Sequence, residues 1–109
     1  PKLNSAPSLS VPEIYFITIG DIAIQKGLIF AEYLRTELPA ISLILDVSGD
    51  GIKSQFKRAD KSEARFALIL GNDEVKSDTF VIKNLREKNP QEIIPQAEAI
   101  QKIAGMLSA

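Results

Sequence analysis

The chain has 109 residues, 45% hydrophobic and 25% charged, with 13 Lys and Arg against 14 Asp and Glu: one ordinary globular domain with a net charge of −1 and no bulk charge that announces a polyanion partner. It contains no cysteine and no histidine, which excludes disulfides, thiolate nucleophiles, imidazole bases and the commonest metal ligands. No apolar run approaches the ~20 residues that span a bilayer, and no basic segment precedes an apolar one at the start, so the expected location is the cytoplasm.

Residues 1–12 are rich in Pro, Ser, Asn and Lys without hydrophobic periodicity and read as a linker or flexible terminus, with the domain expected over 13–109. The start at Pro1 rather than Met reads as a piece of something longer. Glu13 to Ile19 is apolar and β-branched, a buried strand ended by Gly20-Asp21, with Asp21 expected to cap the helix that follows. That helix runs from about Ile22 to Leu38, where Pro39 stops it. Its inner stripe is Gly27, Ala31, Leu34 and Leu38. Gly27 costs up to about 1 kcal/mol in a helix and implies close approach to the sheet. Ile41 to Val47 is a second apolar strand, Ser48-Gly49-Asp50-Gly51 a turn, and Ile52 to Glu63 a second helix. Phe66 to Leu70 is a third strand, closed by Gly71-Asn72. Thr79 to Leu85 and Gln91 to Ile94 read as an edge pair. Pro95 suits the first turn of a last helix with Ile100, Ile103, Ala104 and Leu107 inward.

The order β-α-β-α-β-β-β-α predicts an α/β fold of three layers, α/β/α. Its first three strands should be parallel and linked by right-handed crossovers, with the first strand in the middle. Their apolar runs predict that both faces are covered, and the last pair makes the sheet mixed.

Ligands of open α/β sheets bind beyond the carboxyl ends of the strands. Here those ends carry Gly20-Asp21, the 48–51 turn and Gly71-Asn72-Asp73-Glu74, although such turns are also Gly- and Asp-rich for backbone reasons alone. There is no G-x-x-x-x-G-K-[ST] and no G-x-G-x-x-G, and Asp50 would repel a phosphate, so a mononucleotide site is not expected. Asp73 and Glu74 fit a helix start better than a metal site. Lys53, Lys57 and Lys61 share one helix face with Arg58 beside them. They read either as a solvated face balanced by Asp60 and Glu63 or as a phosphate-contacting stripe. Lys83, Arg86 and Lys88 form a second basic cluster, expected on the same edge. Carboxylates at Asp21, Asp50, Asp73 and Glu74 lack a His, Cys or activated Ser beside them, so the segment alone is expected to be non-catalytic.

The run Gln55-Phe56-Lys57-Arg58-Ala59-Asp60-Lys61, then Leu70-Gly71 and Glu74-Val75, resembles the C-terminal anticodon-binding domain of histidyl-tRNA synthetase, a class II aminoacyl-tRNA synthetase. The resemblance extends over IYFITIGD, AEYLRTELP and VIKNLRE, roughly from Glu13 to Leu107. Threonyl, prolyl and glycyl enzymes share the strand-Gly-x-x-Glu turn but lack the Arg58-Ala59-Asp60-Lys61 run. The resemblance implies a mixed five-stranded sheet with three helices. It also implies a homodimeric ligase that uses ATP and Mg²⁺ to attach histidine to its tRNA, with the catalytic domain upstream and no cofactor in this segment. Its partner would be the anticodon loop of histidine tRNA, not DNA or membrane. Carried over by position, the anticodon contacts are Gly49, Asp50 and Lys53, then Lys57, Glu74 and Lys83, with Arg58 and Arg86 from the two basic clusters. Asp50 departs from a glycine-richer pattern, opposes a phosphate contact and fits acceptance from a base amino group. Lysines would position the RNA backbone while Glu74 reads a base edge. Phe80 and Tyr33 are the candidates for base stacking, Phe56 and Phe66 being core.

Two other functions fit the same fold: a stand-alone interaction or regulatory domain, and a flavodoxin-like domain with a small ligand. The linker before Val11 favours the tRNA-binding reading, because it suits attachment to an upstream core.

Overall fold

The computed structural model describes residues 11–88 and 90–108; the N-terminal ten residues of the expected linker lie outside them. Strand β1 (Ile14–Thr18) leads to helix α1 (Asp21–Glu37), β2 (Leu43–Asp46), α2 (Ile52–Ser62) and β3 (Phe66–Leu70). The short α3 (Asn72–Ser77), β4 (Thr79–Asn84), β5 (Glu92–Pro95), a single 3-10 turn (Gln96–Glu98) and α4 (Ala99–Ser108) follow. The sheet order is β2-β1-β3-β4-β5. β1 is parallel to both its neighbours, as the alternation of elements predicts, and β4 runs antiparallel to β3 and β5 to β4, which makes the sheet mixed as expected.

Alternation along the strands divides the core. Ile14, Phe16, Phe66, Leu68, Leu70, Phe80 and Ile82 face α1 and α4. Tyr15, Ile17, Ala67, Ile69 and Val81 face α2, through Phe56 and Ala59. Phe16, Phe30 and Phe80 form an aromatic knot on the first face, with ring centroids 4.5–6.2 Å apart. Gly27 is required by packing, because a Cβ there would stand 2.7 Å from Thr18 Cγ2.

Four expectations differ. β2 is an edge strand, so Ile44 stays exposed and only the central strands are covered on both faces. Gly20, not Asp21, occupies the cap of α1, and Asp21 is the first helical residue. Pro95 ends β5 instead of opening the last helix, which starts at Ala99 after the 3-10 turn. The Gly71-Asn72-Asp73-Glu74 turn continues into α3, an extra short helix.

Candidate nucleic-acid interface

Three parallel strands bring their carboxyl ends to one edge, and with them the turns at Gly20, Ser48–Gly51 and Gly71. Gln55 joins the first two. It is fully buried near the start of α2, and its Oε1 accepts the Thr18 N–H at 3.1 Å. Its Nε2 donates to Thr18 O at 2.8 Å and to Asp50 O at 2.7 Å. A buried amide is stable only with its donors and acceptor matched, as here. Gly49 takes φ +80°, a conformation that favours glycine and lets the loop turn back toward α2.

Asp46, at the end of β2, is the second anchor and is only 5% exposed. Its Oδ2 accepts from the Tyr15 hydroxyl at 2.7 Å and from Arg58 Nε at 3.0 Å. Its Oδ1 accepts the Ser48 N–H at 3.0 Å. Arg58 also donates to Ser48 Oγ at 2.8 Å and pairs with Asp50 Oδ2 at 3.0 Å. Burial alone would push the Asp46 carboxyl up, but hydrogen bonds from Ser48, Tyr15 and Arg58 outweigh it and hold the carboxyl down at about 2. Burial, reinforced by Asp46, pushes the Tyr15 phenol above its ordinary value.

Lys53, Lys57 and Lys61 are exposed along α2 and, among the described residues, none enters a salt bridge. Asp60 and Glu63 therefore do not neutralise them by pairing. Arg58, grouped with these lysines by spacing, is committed to Asp46, Asp50 and Ser48.

The second basic cluster does not lie on the carboxyl edge. β4 runs antiparallel to β3, so Lys83 stands opposite Ala67 and Asn84 opposite Phe66, near the amino end of β3. α2 bridges the gap because it crosses the sheet from the carboxyl edge back to the amino edge. Lys83 Nζ sits 5.2 Å from the centre of the Phe56 ring. Phe56, Asp60, Lys83, Asn84, Arg86 and Lys88 line part of an open groove of about 450 Å³. Asn84 Oδ1 accepts the backbone N–H groups of Arg86 and Glu87, which shapes the chain beyond β4. The basic residues thus form a band across one sheet face rather than a cluster at one end.

Glu74 is part of the start of α3: its Oε1 accepts the Gly71 N–H at 2.8 Å. Its other carboxylate oxygen has no partner among the described residues. Phe80 is no stacking platform, because it is 1% exposed within the aromatic knot. Tyr33 is exposed but belongs to α1, across the sheet from the lysines. Sequence reasoning missed Gln55, Asp46 and Tyr15 as site-shaping residues. A usable signal was Gln55 four residues before the buried Ala59, a polar side chain on the helix's apolar face. Among the described residues no group of three or more acidic side chains is placed to hold a metal, and no helix is long and apolar enough to cross a membrane.

A family model described as "Anticodon binding domain" matches residues 14–106. The chain is 48% identical over 79 residues to a histidine–tRNA ligase of Coxiella burnetii, covering 72% of this chain and 19% of that protein. It is 44% identical over 97 residues to the histidine–tRNA ligase of Hydrogenovibrio crunogenus, covering 89% of this chain and 23% of that protein. Histidyl-tRNA synthetase from Nostoc sp. PCC 7120 has the same fold, with a TM-score of 0.78 at 23% identity over 89% of this chain and 23% of that one. Prolyl-tRNA synthetase from Cryptosporidium parvum has it too, with a TM-score of 0.76 at 12% identity over 94% and 22%. The chain spans about a fifth of the length of the curated relatives it matches.

Proposed function

This chain belongs to the anticodon-binding domain family, and on that premise we propose that it recognises the anticodon loop of histidine tRNA as the C-terminal domain of a histidine–tRNA ligase. In this reading the whole enzyme is a cytoplasmic homodimer that attaches histidine to its tRNA with ATP and Mg²⁺. The catalytic residues lie upstream, and this domain supplies recognition alone. The observation that carries the reading is the row of unpaired lysines on α2, continued by Lys83 and Arg86 across the same sheet face. Such a row meets phosphates without breaking any internal pair. The loop at Gly49 and Asp50 follows β2 and the free oxygen of Glu74 follows β3, both beyond the carboxyl ends of the parallel strands, a position that suits reading of unpaired bases.

The test is binding of the chain to stem-loops carrying histidine and non-histidine anticodons, titrated over salt. Lys57→Ala is expected to weaken all stem-loops alike and to make the salt slope shallower by about one unit. Glu74→Ala is expected to cost about 1–3 kcal/mol, chiefly against the histidine anticodon, by analogy with base contacts in DNA. A wild-type chain that binds every stem-loop equally rules out recognition of the histidine anticodon.

A further inference from the structure

We propose that Arg58 and Gln55 are positioning residues: they hold the Ser48–Gly51 loop in the shape that offers the Gly49 and Gly51 N–H groups to an acceptor atom of an unpaired nucleotide, and neither touches the RNA. The inference rests on the anticodon-binding reading and assigns Arg58 a different part from the lysines beside it. Three of its nitrogens are occupied by Asp46, Ser48 and Asp50 at 2.8–3.0 Å. Gln55 is wholly buried, so it acts only through what it holds, the carbonyl of Asp50 and the backbone of Thr18. Between these two clamps the loop satisfies its own Ser48 and Asp50 N–H groups, on Asp46 and Ser48. The N–H groups of Gly49 and Gly51 are left exposed and find no acceptor among the described residues. Both glycines have open space where a side chain would stand, so a ligand atom can reach the backbone. Pairing with Arg58 also offsets the negative charge of Asp50, which would otherwise repel RNA at this loop. Donors fixed before binding need no ordering when the ligand arrives, which is where such clamping adds affinity.

The experiment compares wild type, Lys57→Ala, Arg58→Gln and Tyr15→Phe in binding to the same stem-loops over salt, after circular dichroism confirms folding. Arg58→Gln is expected to lower affinity for the histidine stem-loop about ten-fold more than for the others, the size of one lost hydrogen-bonded contact, because repulsion from the uncovered Asp50 falls on all stem-loops alike. Its salt slope stays that of wild type, whereas Lys57→Ala makes the slope shallower. Tyr15→Phe removes one hydroxyl beneath Asp46 from a side chain too buried to meet RNA, and should shift the preference the same way by a smaller factor. A slope for Arg58→Gln shallower by about one unit means a direct phosphate contact and overturns the proposal. Unchanged preference in a less stable but folded variant overturns it too, leaving Arg58 a purely structural role. If Arg58→Gln fails to fold, Tyr15→Phe decides by the same criteria. A wild type without preference refutes the anticodon reading itself; a wild type with preference that both variants keep refutes only the positioning role.

Discussion

Asp46 shows how one buried carboxylate is kept ionised. Its charge loses water, yet Tyr15, Ser48 and Arg58 supply hydrogen bonds that favour the charged form, and the carboxyl sits at about 2 against an ordinary 3.8. A carboxyl held lower in the folded than in the unfolded chain adds stability above its unfolded value. That contribution fades as pH falls from about 4 and is gone below about 2. Asp46→Asn is therefore expected to unfold more easily at neutral pH, by about 1–3 kcal/mol for the unpaired Arg58 and Tyr15. Its difference from wild type should close toward pH 2. Urea midpoints of both proteins between pH 2 and 7 check this, and a constant difference across that range contradicts it. This network was illegible in the sequence because its members lie on β1, β2 and α2. Asp46 ends an apolar strand like any strand-terminal residue, and Arg58 sits at a spacing that fits the lysine stripe equally well. Gly27 was legible, because a glycine inside an otherwise regular helical stripe is costly and demands a close neighbour.

At the level of elements, that neighbour is Thr18. α1 crosses β1 so closely that the helix backbone meets Thr18 Cγ2, while Thr18 Oγ1 donates to Asp46 O at 2.6 Å and cannot swing aside freely. Gly27→Ala would ordinarily favour a helix by about 1 kcal/mol. Here it is expected to destabilise by about 1–3 kcal/mol through overpacking, read as a lower urea midpoint with an unchanged slope. A more stable Gly27→Ala would show that α1 can lift off the sheet without loss. Element types and the order β2-β1-β3 followed from apolar runs alternating with helical stripes, because βαβ units have one common handedness. What escaped was direction. Runs such as TFVIKNL do not say which way a strand points, and the antiparallel course of β4 moved Lys83 and Arg86 to the far edge. The helical start at Gly71 was half legible, because Asp73 and Glu74 favour a first turn whether or not a full helix follows.

Across the whole molecule the two faces of the sheet differ. α2 alone covers one face and carries the unpaired lysines. α1 and α4 cover the other, where exposed Ile22, Ile29 and Tyr33 line the outside of α1 beside Lys26. A net charge of −1 thus hides a two-sided distribution. The faces are separated by two helix-to-sheet spacings, on the order of 20 Å, beyond the ~8 Å screening length at physiological salt. Lys26→Ala should leave stem-loop affinity and its salt slope unchanged, whereas Lys57→Ala alters both. Equal effects of the two substitutions would mean that RNA is drawn by the molecule's overall field rather than by one face.

The central place of β1 also bears on how the chain comes to be folded. Ile14–Thr18 is buried along its whole length, yet both strands that hydrogen-bond to it, Leu43–Asp46 and Phe66–Leu70, come later in the chain. During synthesis it leaves the ribosome before either of them and waits for partners that do not yet exist, an apolar strand with two bare edges. Its pairing is non-local on both sides, which places this domain among slower folders than its helix content implies. A nascent chain stalled before Leu70 would present that strand to any neighbour able to add to it, so the stretch from β1 to β3 is where the growing polypeptide most depends on shelter.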